Sequence, residues 1–240
     1  MLKQRSSTTT YTDKRNMRGF SMIELLIVMS IITIMTAASL FYLTAHQDLY
    51  EAEDEALMII DVLQEARQRS LTQRETIRVE IDITDNVVRL IDENSPGTAD
   101  DDTPIRELAL RVQEKVTVNS RADNVPDNPP ESSPVPSAQF RQSVYPGSEN
   151  NQVATMRFQS NGTIIDAGSN AAGNTGAIST GVTLHVWSPD KDNASEAEVG
   201  RAITILGSTG SIRLWLYEPD APTGSPHWLD SRRTSTYGGV

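Results

Sequence analysis

Few side chains in this 240-residue sequence have the types and spacing that catalysis or metal binding requires. The three histidines, His46, His185 and His227, have no metal-ligand spacing between them, and His185 lies in a predicted strand, where an ordinary strand residue is expected. The segment 207–210 reads Gly-Ser-Thr-Gly but lacks the strand–elbow–helix context of a nucleophile, so it predicts a hairpin turn. The sequence contains no cysteine, which excludes thiolate metal sites, thiol nucleophiles and disulfides.

Four carboxylates between residues 190 and 198 offer the oxygen ligands that a calcium ion accepts. They are Asp190, Asp192, Glu196 and Glu198. No glycine stands where a calcium loop needs its sharp turn, so a solvated acidic loop is expected there instead. The sequence therefore predicts no catalytic residue, no metal site and no cofactor, and the protein is not expected to be an enzyme.

The most unusual ionisable residue is Glu24, because it stands at the edge of a long apolar segment. No charged residue occurs between Leu25 and Gln47, and residues 25–43 would form a helix of roughly 28 Å, about one bilayer core. Serines and threonines interrupt this segment, but their hydroxyls can bond back to helix carbonyls. The segment predicts a transmembrane helix, and a carboxylate at its edge would cost about 2–3 kcal/mol if it were buried in lipid without a partner.

The two flanks of the apolar segment differ in charge. Residues 1–19 contain five basic residues and one acidic residue, a net charge of +4, and since the whole chain carries −11, the remaining residues carry −15. The positive-inside rule places residues 1–19 in the cytoplasm and the rest outside, in the periplasm of a bacterium, with a single pass through the inner membrane. An acidic surface repels phosphate backbones, so no nucleic acid is expected as a partner.

Two simpler interpretations of this N-terminus are a secretory signal peptide and a plain membrane anchor. A signal peptide has an apolar region of about 7–15 residues that ends in a small-x-small cleavage site, whereas this segment is longer and no such site closes it. A plain anchor does not account for Glu24, which needs a partner inside the membrane.

The segment 18–28, which reads RGFSMIELLIV, resembles the cleavage and methylation motif of type IV pilins and type II secretion pseudopilins. The resemblance implies that prepilin peptidase cuts between Gly19 and Phe20 and methylates the new amine of Phe20. It also implies that Glu24 supports assembly with other pseudopilins or pilins. Pairing the Phe20 amine of one subunit with Glu24 of the next would remove two unmet charges from lipid and fix the helix register.

Beyond the apolar segment the helical period continues. Apolar residues recur at three- and four-residue spacing, while several acidic residues lie off that stripe. The stripe is Leu49, Ala52, Ala56, Ile60 and Leu63, and the acidic residues are Glu51, Glu55, Asp61 and Glu65. We expect one helix from residue 20 to about residue 71, with its second half packed on a globular head.

The period then changes to the two-residue alternation of β-strands. Strands are predicted at 77–83, 87–91, 155–158, 163–165, 182–187, 202–206 and 212–217, with one or two further strands within 108–118. Residues 121–152 are rich in proline, serine and asparagine and predict a loop insertion outside the core. The expected fold is therefore α+β and pilin-like, with a long membrane-spanning helix packed on a mostly antiparallel sheet. Its expected divisions are a leader at 1–19, a helix at 20–46, a head at 47–218 and a polar tail at 219–240.

The C-terminal half carries a second, weaker resemblance. Residues 158–163, 201–205 and 212–213 are similar to the domain shared by H-type minor pseudopilins and FimT/FimU-like minor pilins. The resemblance implies a minor pseudopilin of a type II secretion system, which is extracted from the membrane into a short periplasmic pseudopilus that serves protein export. The alternatives are a FimT/FimU-like minor type IV pilin acting in pilus assembly or DNA uptake, and a periplasmic enzyme on a stalk.

Overall fold

A computed structural model describes most of the chain outside its first nineteen and last nine residues. The described residues are 20–45, 47–94, 100–119, 121–126, 131, 135–165, 181–223 and 225–231. The chain divides into two compact units, Met1–Ala45 and His46–Val240.

Each unit contains one long helix. Helix α1 is Met22–Ala45 and belongs to the first unit, whereas α2 is Gln47–Gln73 and belongs to the second. The sequence predicts a single helix over this region; the structure has these two, and His46 between them lies outside the described residues. Helix α2 ends at Gln73, because the next residue, Arg74, has a left-handed φ of 60° that cannot continue a right-handed helix.

The first sheet of the second unit is antiparallel and has the strand order β3-β2-β1-β6-β5, with β7 also paired to β6. Its strands are β1 Ile77–Asp82, β2 Val87–Asp92, β3 Thr103–Ala109, β5 Phe140–Gln142, β6 Gln152–Phe158 and β7 Ile164–Ile165. The turn between β1 and β2 contains Asn86 at a φ of 54°, a left-handed conformation that asparagine tolerates better than most residues.

The second sheet is also antiparallel and has the order β11-β10-β9-β8-β4. Its strands are β4 Thr117–Asn119, β8 Gly181–Pro189, β9 Ala197–Leu206, β10 Ser211–Tyr217 and β11 Trp228–Asp230. Four of the five strands follow one another along the chain, so this sheet is mainly a meander.

Both sheets pack against α2 around one hydrophobic core. The buried stripe of α2 consists of Ala52, Ala56, Ile59, Val62, Leu63 and Ala66. Burying a valine, leucine or isoleucine of this kind contributes about 1.5–3 kcal/mol to folding. The stripe runs at the predicted spacing, but Ile60 is only partly buried, and Glu55, predicted to lie off the stripe, is 1% exposed on the buried side.

Two segments that the sequence assigns to loops contribute to the folded head. Within 121–152 the described residues supply strand β5 and the buried side chains of Val125 and Val135. Beyond residue 218, strand β11 pairs with β10 and buries Trp228. Prediction from composition failed here because short strands and single buried anchors leave little trace in a polar, proline-rich sequence. The α+β architecture with a mostly antiparallel head is nevertheless confirmed.

Candidate assembly site on the N-terminal helix

The first turn of α1 contains Glu24, its acidic residue, two positions after the helix begins at Met22. Ser21 directly precedes the helix, and its carbonyl accepts a hydrogen bond from the Leu25 N–H at 3.1 Å. A serine before the helix and a glutamate three residues later is the sequence pattern of a capping box, and a negative charge in the first turn also suits the helix dipole. The carboxylate of Glu24 therefore lies at a helix start that favours it.

The described side chains of this helix are exposed on all of its faces. Every residue from Phe20 to Tyr42 is exposed, with Phe20 at 81%, although most of these residues are apolar. By its length and composition, Met22–Tyr42 could cross a membrane. An apolar surface of this extent is stable only in lipid or against other apolar helices.

Four serine and threonine hydroxyl groups of α1 donate hydrogen bonds within the helix. Each bonds to the carbonyl oxygen four residues earlier at 2.8 Å: Ser30 to Leu26, Thr33 to Met29, Thr36 to Ile32 and Ser39 to Met35. The predicted back-bonding is thus confirmed. No donor on these side chains has to find a partner in an apolar environment, so they do not oppose insertion.

The other residues considered for catalysis or metal binding lie in the strands, turns and loops of the head. His185 is buried on β8, beside Trp228 at a ring distance of 6.2 Å. Residues 207–210 form the predicted turn between β9 and β10, where Gly210 has a φ of 59°. In the acidic loop Asp190 accepts the backbone N–H groups of Asp192 and Asn193. Within the described part of the chain, no three acidic or histidine side chains are grouped as metal ligands.

The structure also contains a cluster of charged side chains that the sequence does not predict. The polar residues of β1 are not solvated, because all six residues of this strand are buried. They join charged residues of β2, β6 and the segments flanking β2 and β3 in what we call the buried charged layer. Its members are Arg78, Glu80, Asp82, Arg89, Glu93, Asp102 and Arg157.

Most of this layer consists of hydrogen-bonded ion pairs. Glu93 accepts from Arg78 Nη1 at 2.8 Å and from Arg157 Nε at 2.7 Å. Asp102 accepts from the other terminal nitrogen of Arg78, at 2.5 Å. These contacts join β1, β2 and β6 across the sheet, at side chains no more than 2% exposed.

At the end of β1 a second pair is formed by Asp82 and Arg89. Asp82 accepts from Arg89 Nη1 and from Asn151 Nδ2, both at 2.7 Å, and from the backbone N–H groups of Thr84 and Asp85. Burial works to raise the pKa of Asp82, but these hydrogen bonds outweigh it and lower the pKa. Asp82 therefore remains ionised.

Glu80 is held more weakly. It accepts from the Ser143 hydroxyl at 3.1 Å, and Arg78 Nε lies 3.3 Å from its other oxygen, outside hydrogen-bond geometry. Burial raises the pKa of Glu80, and it also raises the pKa of Glu93 and Asp102, although their arginine partners oppose this.

Comparison with known proteins identifies the N-terminal segment. Residues 14–40 match the family described as the prokaryotic N-terminal methylation motif. No curated protein and no solved structure matches the chain. The match includes Gly19, which lies outside the described residues, Phe20, which precedes α1, and Glu24, which lies in its first turn. The chain thus carries the methylation motif of type IV pilin-like proteins, on an apolar helix that could anchor it in a membrane by a single pass.

Proposed function

We propose that this chain is a minor pseudopilin, a structural subunit of a type II secretion pseudopilus. The observation that carries the proposal is the methylation motif leading directly into an exposed apolar helix with a carboxylate in its first turn. Nothing in that arrangement performs a reaction. It suits a subunit whose helix leaves lipid and packs against the helices of its neighbours.

The first step in this proposal is processing. Prepilin peptidase cuts between Gly19 and Phe20 and methylates the Phe20 amine, on the cytoplasmic side of the inner membrane. Mass spectrometry of the protein purified from native membranes is expected to show a chain that begins with N-methyl-Phe20. A mature chain beginning beyond residue 43 would mean that the segment is a signal peptide.

The second step is assembly, in which Glu24 accepts the Phe20 amine of a neighbouring subunit. A charge pair in a medium without water removes two unfavourable charges at once, and thereby selects one register of otherwise sliding apolar helices. Glu24→Ala is expected to leave cleavage and membrane insertion intact and to reduce copurification with partner subunits. The matched control is Glu114→Ala, which removes an exposed carboxylate from the head. Equal copurification of both variants would exclude this role of Glu24.

The choice of a secretion system over a pilus that takes up DNA rests on charge. Residues 20–240 carry −15, and the arginines closest together on α2 are engaged: Arg67 donates to the Thr209 carbonyl and Arg69 pairs with Glu65. DNA binding requires cations that can neutralise several phosphates. The proposal therefore assigns the protein to export and not to nucleic acid.

The experiment that tests the function is deletion of the encoding gene, with complementation by the wild type and by Glu24→Ala. We expect the deletion to impair export of folded periplasmic proteins, and only the wild type to restore it. Purified head is expected to show no salt-sensitive DNA binding at physiological ionic strength. Micromolar DNA binding that falls steeply with salt and is lost in Arg232→Ala/Arg233→Ala would instead identify a FimT/FimU-like minor pilin.

A further inference from the structure

Glu80 differs from the other carboxylates of the buried charged layer in how it is held. Asp82, Glu93 and Asp102 each accept a hydrogen bond from an arginine at 2.8 Å or less. Glu80 accepts only from the Ser143 hydroxyl, and its side chain is 0% exposed. Among the described residues it is the carboxylate of this layer without a hydrogen-bonded cation.

The charges of the layer do not balance if every carboxylate is ionised. The layer contains three arginines and four carboxylates, and a guanidinium group stays charged in a protein. The three arginines are matched in number by the three carboxylates that they bond. Glu80 is the surplus anion, and an unpaired buried charge is expelled or neutralised because its desolvation is too costly.

No neighbouring element supplies the missing cation. On β1 the nearest cation is Arg78, whose Nε lies 3.3 Å from a Glu80 oxygen without hydrogen-bond geometry, and whose two terminal nitrogens already bond Glu93 and Asp102. On β2 it faces Arg89, which is bonded to Asp82 and lies near two further acids at the rim, Asp85 at 3.5 Å and Glu107 at 3.8 Å.

The elements on the other side of Glu80 add no free charge either. On β6 it faces the uncharged Thr155, with Arg157 beyond it bonded to Glu93. The loop that follows β5 contributes the uncharged Ser143. The cations near Glu80 are thus the three arginines of the layer, and each of them already bonds another carboxylate.

We propose that Glu80 is protonated in the folded head at neutral pH and acts as the neutral member of a charge-balanced layer. The hydrogen bond to Ser143 survives this change, since a hydroxyl can accept the carboxylic proton as readily as it can donate its own. The buried layer then contains three cations and three anions. The layer thus binds one proton, on Glu80, where the first sheet meets the segments that cover it.

Protonation of Glu80 in the folded head makes the head less stable as pH rises. In the unfolded chain Glu80 ionises at an ordinary glutamate pKa, whereas in the folded head it keeps its proton to a higher pH. Its contribution to stability is complete below the unfolded pKa and is lost as pH rises toward the folded one. Across that interval unfolding releases one proton, so the unfolding constant increases about tenfold per pH unit from this residue alone.

The test measures urea unfolding of the full chain in detergent at a series of pH values. The fluorescence of Trp187, Trp215 and Trp228 reports on the head, since all three are buried in it. Glu80→Gln mimics the protonated acid and is expected to match wild-type stability at low pH, and to lack the loss of stability on raising the pH. The matched control is Glu93→Gln, the same substitution at a carboxylate bonded to two arginines, which is expected to be far less stable than the wild type at pH 7.

Two results would overturn the proposal. One is a Glu80→Gln variant that fails to fold or is destabilised as much as Glu93→Gln. The other comes from the wild-type protein and needs no folded variant. Infrared spectra of the chain labelled with carbon-13 at the glutamate carboxyl groups are expected to contain the carbonyl band of a protonated acid at pH 7, and the absence of that band would show Glu80 to be ionised.

Discussion

Glu55 is a carboxylate on the apolar side of α2 that serves as an anchor for another part of the chain. Its two oxygens accept the Arg111 backbone N–H at 3.0 and 3.1 Å, and the Arg111 guanidinium lies 3.4 Å from one of them. The same guanidinium donates to the Glu51 carbonyl. The segment that follows β3 is thereby fixed to the helix by backbone and side chain together.

Glu55→Ala is expected to lower the free energy of unfolding by about 2–3 kcal/mol, because it leaves a partly buried N–H and a guanidinium without their acceptor. Chemical denaturation followed by circular dichroism measures this. The adjacent Asp54→Ala is the control. Asp54 is two-thirds exposed and lies 3.7 Å from Arg111, so its loss is expected to change stability by less than about 0.5 kcal/mol. Equal effects at both positions would refute the anchoring role.

Arg74 is a second residue at which a substitution has a predictable effect on stability. It is exposed and adopts a left-handed φ of 60° at the end of α2, a position that favours glycine. Arg74→Gly is expected to stabilise the head by about 1 kcal/mol, since it removes the strain of a side chain in this conformation. Arg74→Ala removes the same charge but keeps Cβ, and is expected to give no such gain in thermal unfolding.

At the scale of elements, two glycine turns meet the C-terminal half of α2. The turn after β6 contains Gly162, at a φ of 81°, and the turn between β9 and β10 contains Gly210. The Ile164 N–H donates to the Gly207 carbonyl at 2.8 Å, which links the two turns and therefore the two sheets. Arg67 of α2 donates to the Thr209 carbonyl in the same place.

Gly210→Ala is expected to destabilise the head by about 2–3 kcal/mol, because strain at a left-handed φ is added to a steric clash. The new Cβ would lie 2.5 Å from the Gly162 carbonyl oxygen and 2.9 Å from Arg67 Nε. Gly147→Ala is the matched control: its φ is 87°, but nothing lies within 4 Å of the added atom. A loss at Gly147 as large as that at Gly210 would mean that strain alone, and not the junction, sets the cost.

The positions of the strands could be predicted from the sequence more reliably than the loop residues that cover the sheet. Alternation placed β1, β2, β8 and β10 within a few residues of their observed positions, since period-two patterns depend only on local sequence. The pattern also separated Ile77 and Val79 from Arg78 and Glu80. It could not show that the polar side is buried as well, because the covering groups, among them Ser143 and Asp102, come from distant loops.

The candidate assembly site, in contrast, depends mostly on local sequence and could be predicted. The start of α1 and the back-bonding of its hydroxyls are set within a few residues, so the sequence was sufficient for them. Outside that site, the position of Glu131 in the folded head could not be predicted, because it accepts hydrogen bonds from Thr204 and Arg213, more than seventy residues further along the chain.

At the scale of the whole molecule, the two units differ in how many large apolar side chains they expose. Among the residues whose burial the structure describes, the large apolar residues exposed outside the first unit are Tyr50, Leu57, Leu71 and Val112, whereas fifteen occur on and just before α1. The head has its own core, formed by α2 and both sheets. Among the described residues, the continuous apolar surface that suits lipid therefore belongs to the first unit.

A chain of residues 47–240 is expected to be a soluble, folded monomer. Cell fractionation followed by analytical ultracentrifugation and circular dichroism measures this, with the full-length protein, expected in the membrane fraction, as the control. Recovery of the truncated chain in membranes without aggregation would contradict the expectation and would point to a second lipid-binding surface in the head.

The position of α2 ahead of both sheets has a consequence for synthesis. Its buried stripe is complete at Ala66, but the strands that cover it extend to β6 at residue 158 and to β10 at residue 217. A ribosome adds about 5–20 residues per second, so the 144 residues from the end of α2 to the end of β10 take roughly 7–30 s. For that interval part of the apolar face of the nascent helix stays uncovered, and a chain that stops before β8 lacks β8, β9 and β10, which complete its cover. Holdase binding to arrested chains is therefore expected at α2.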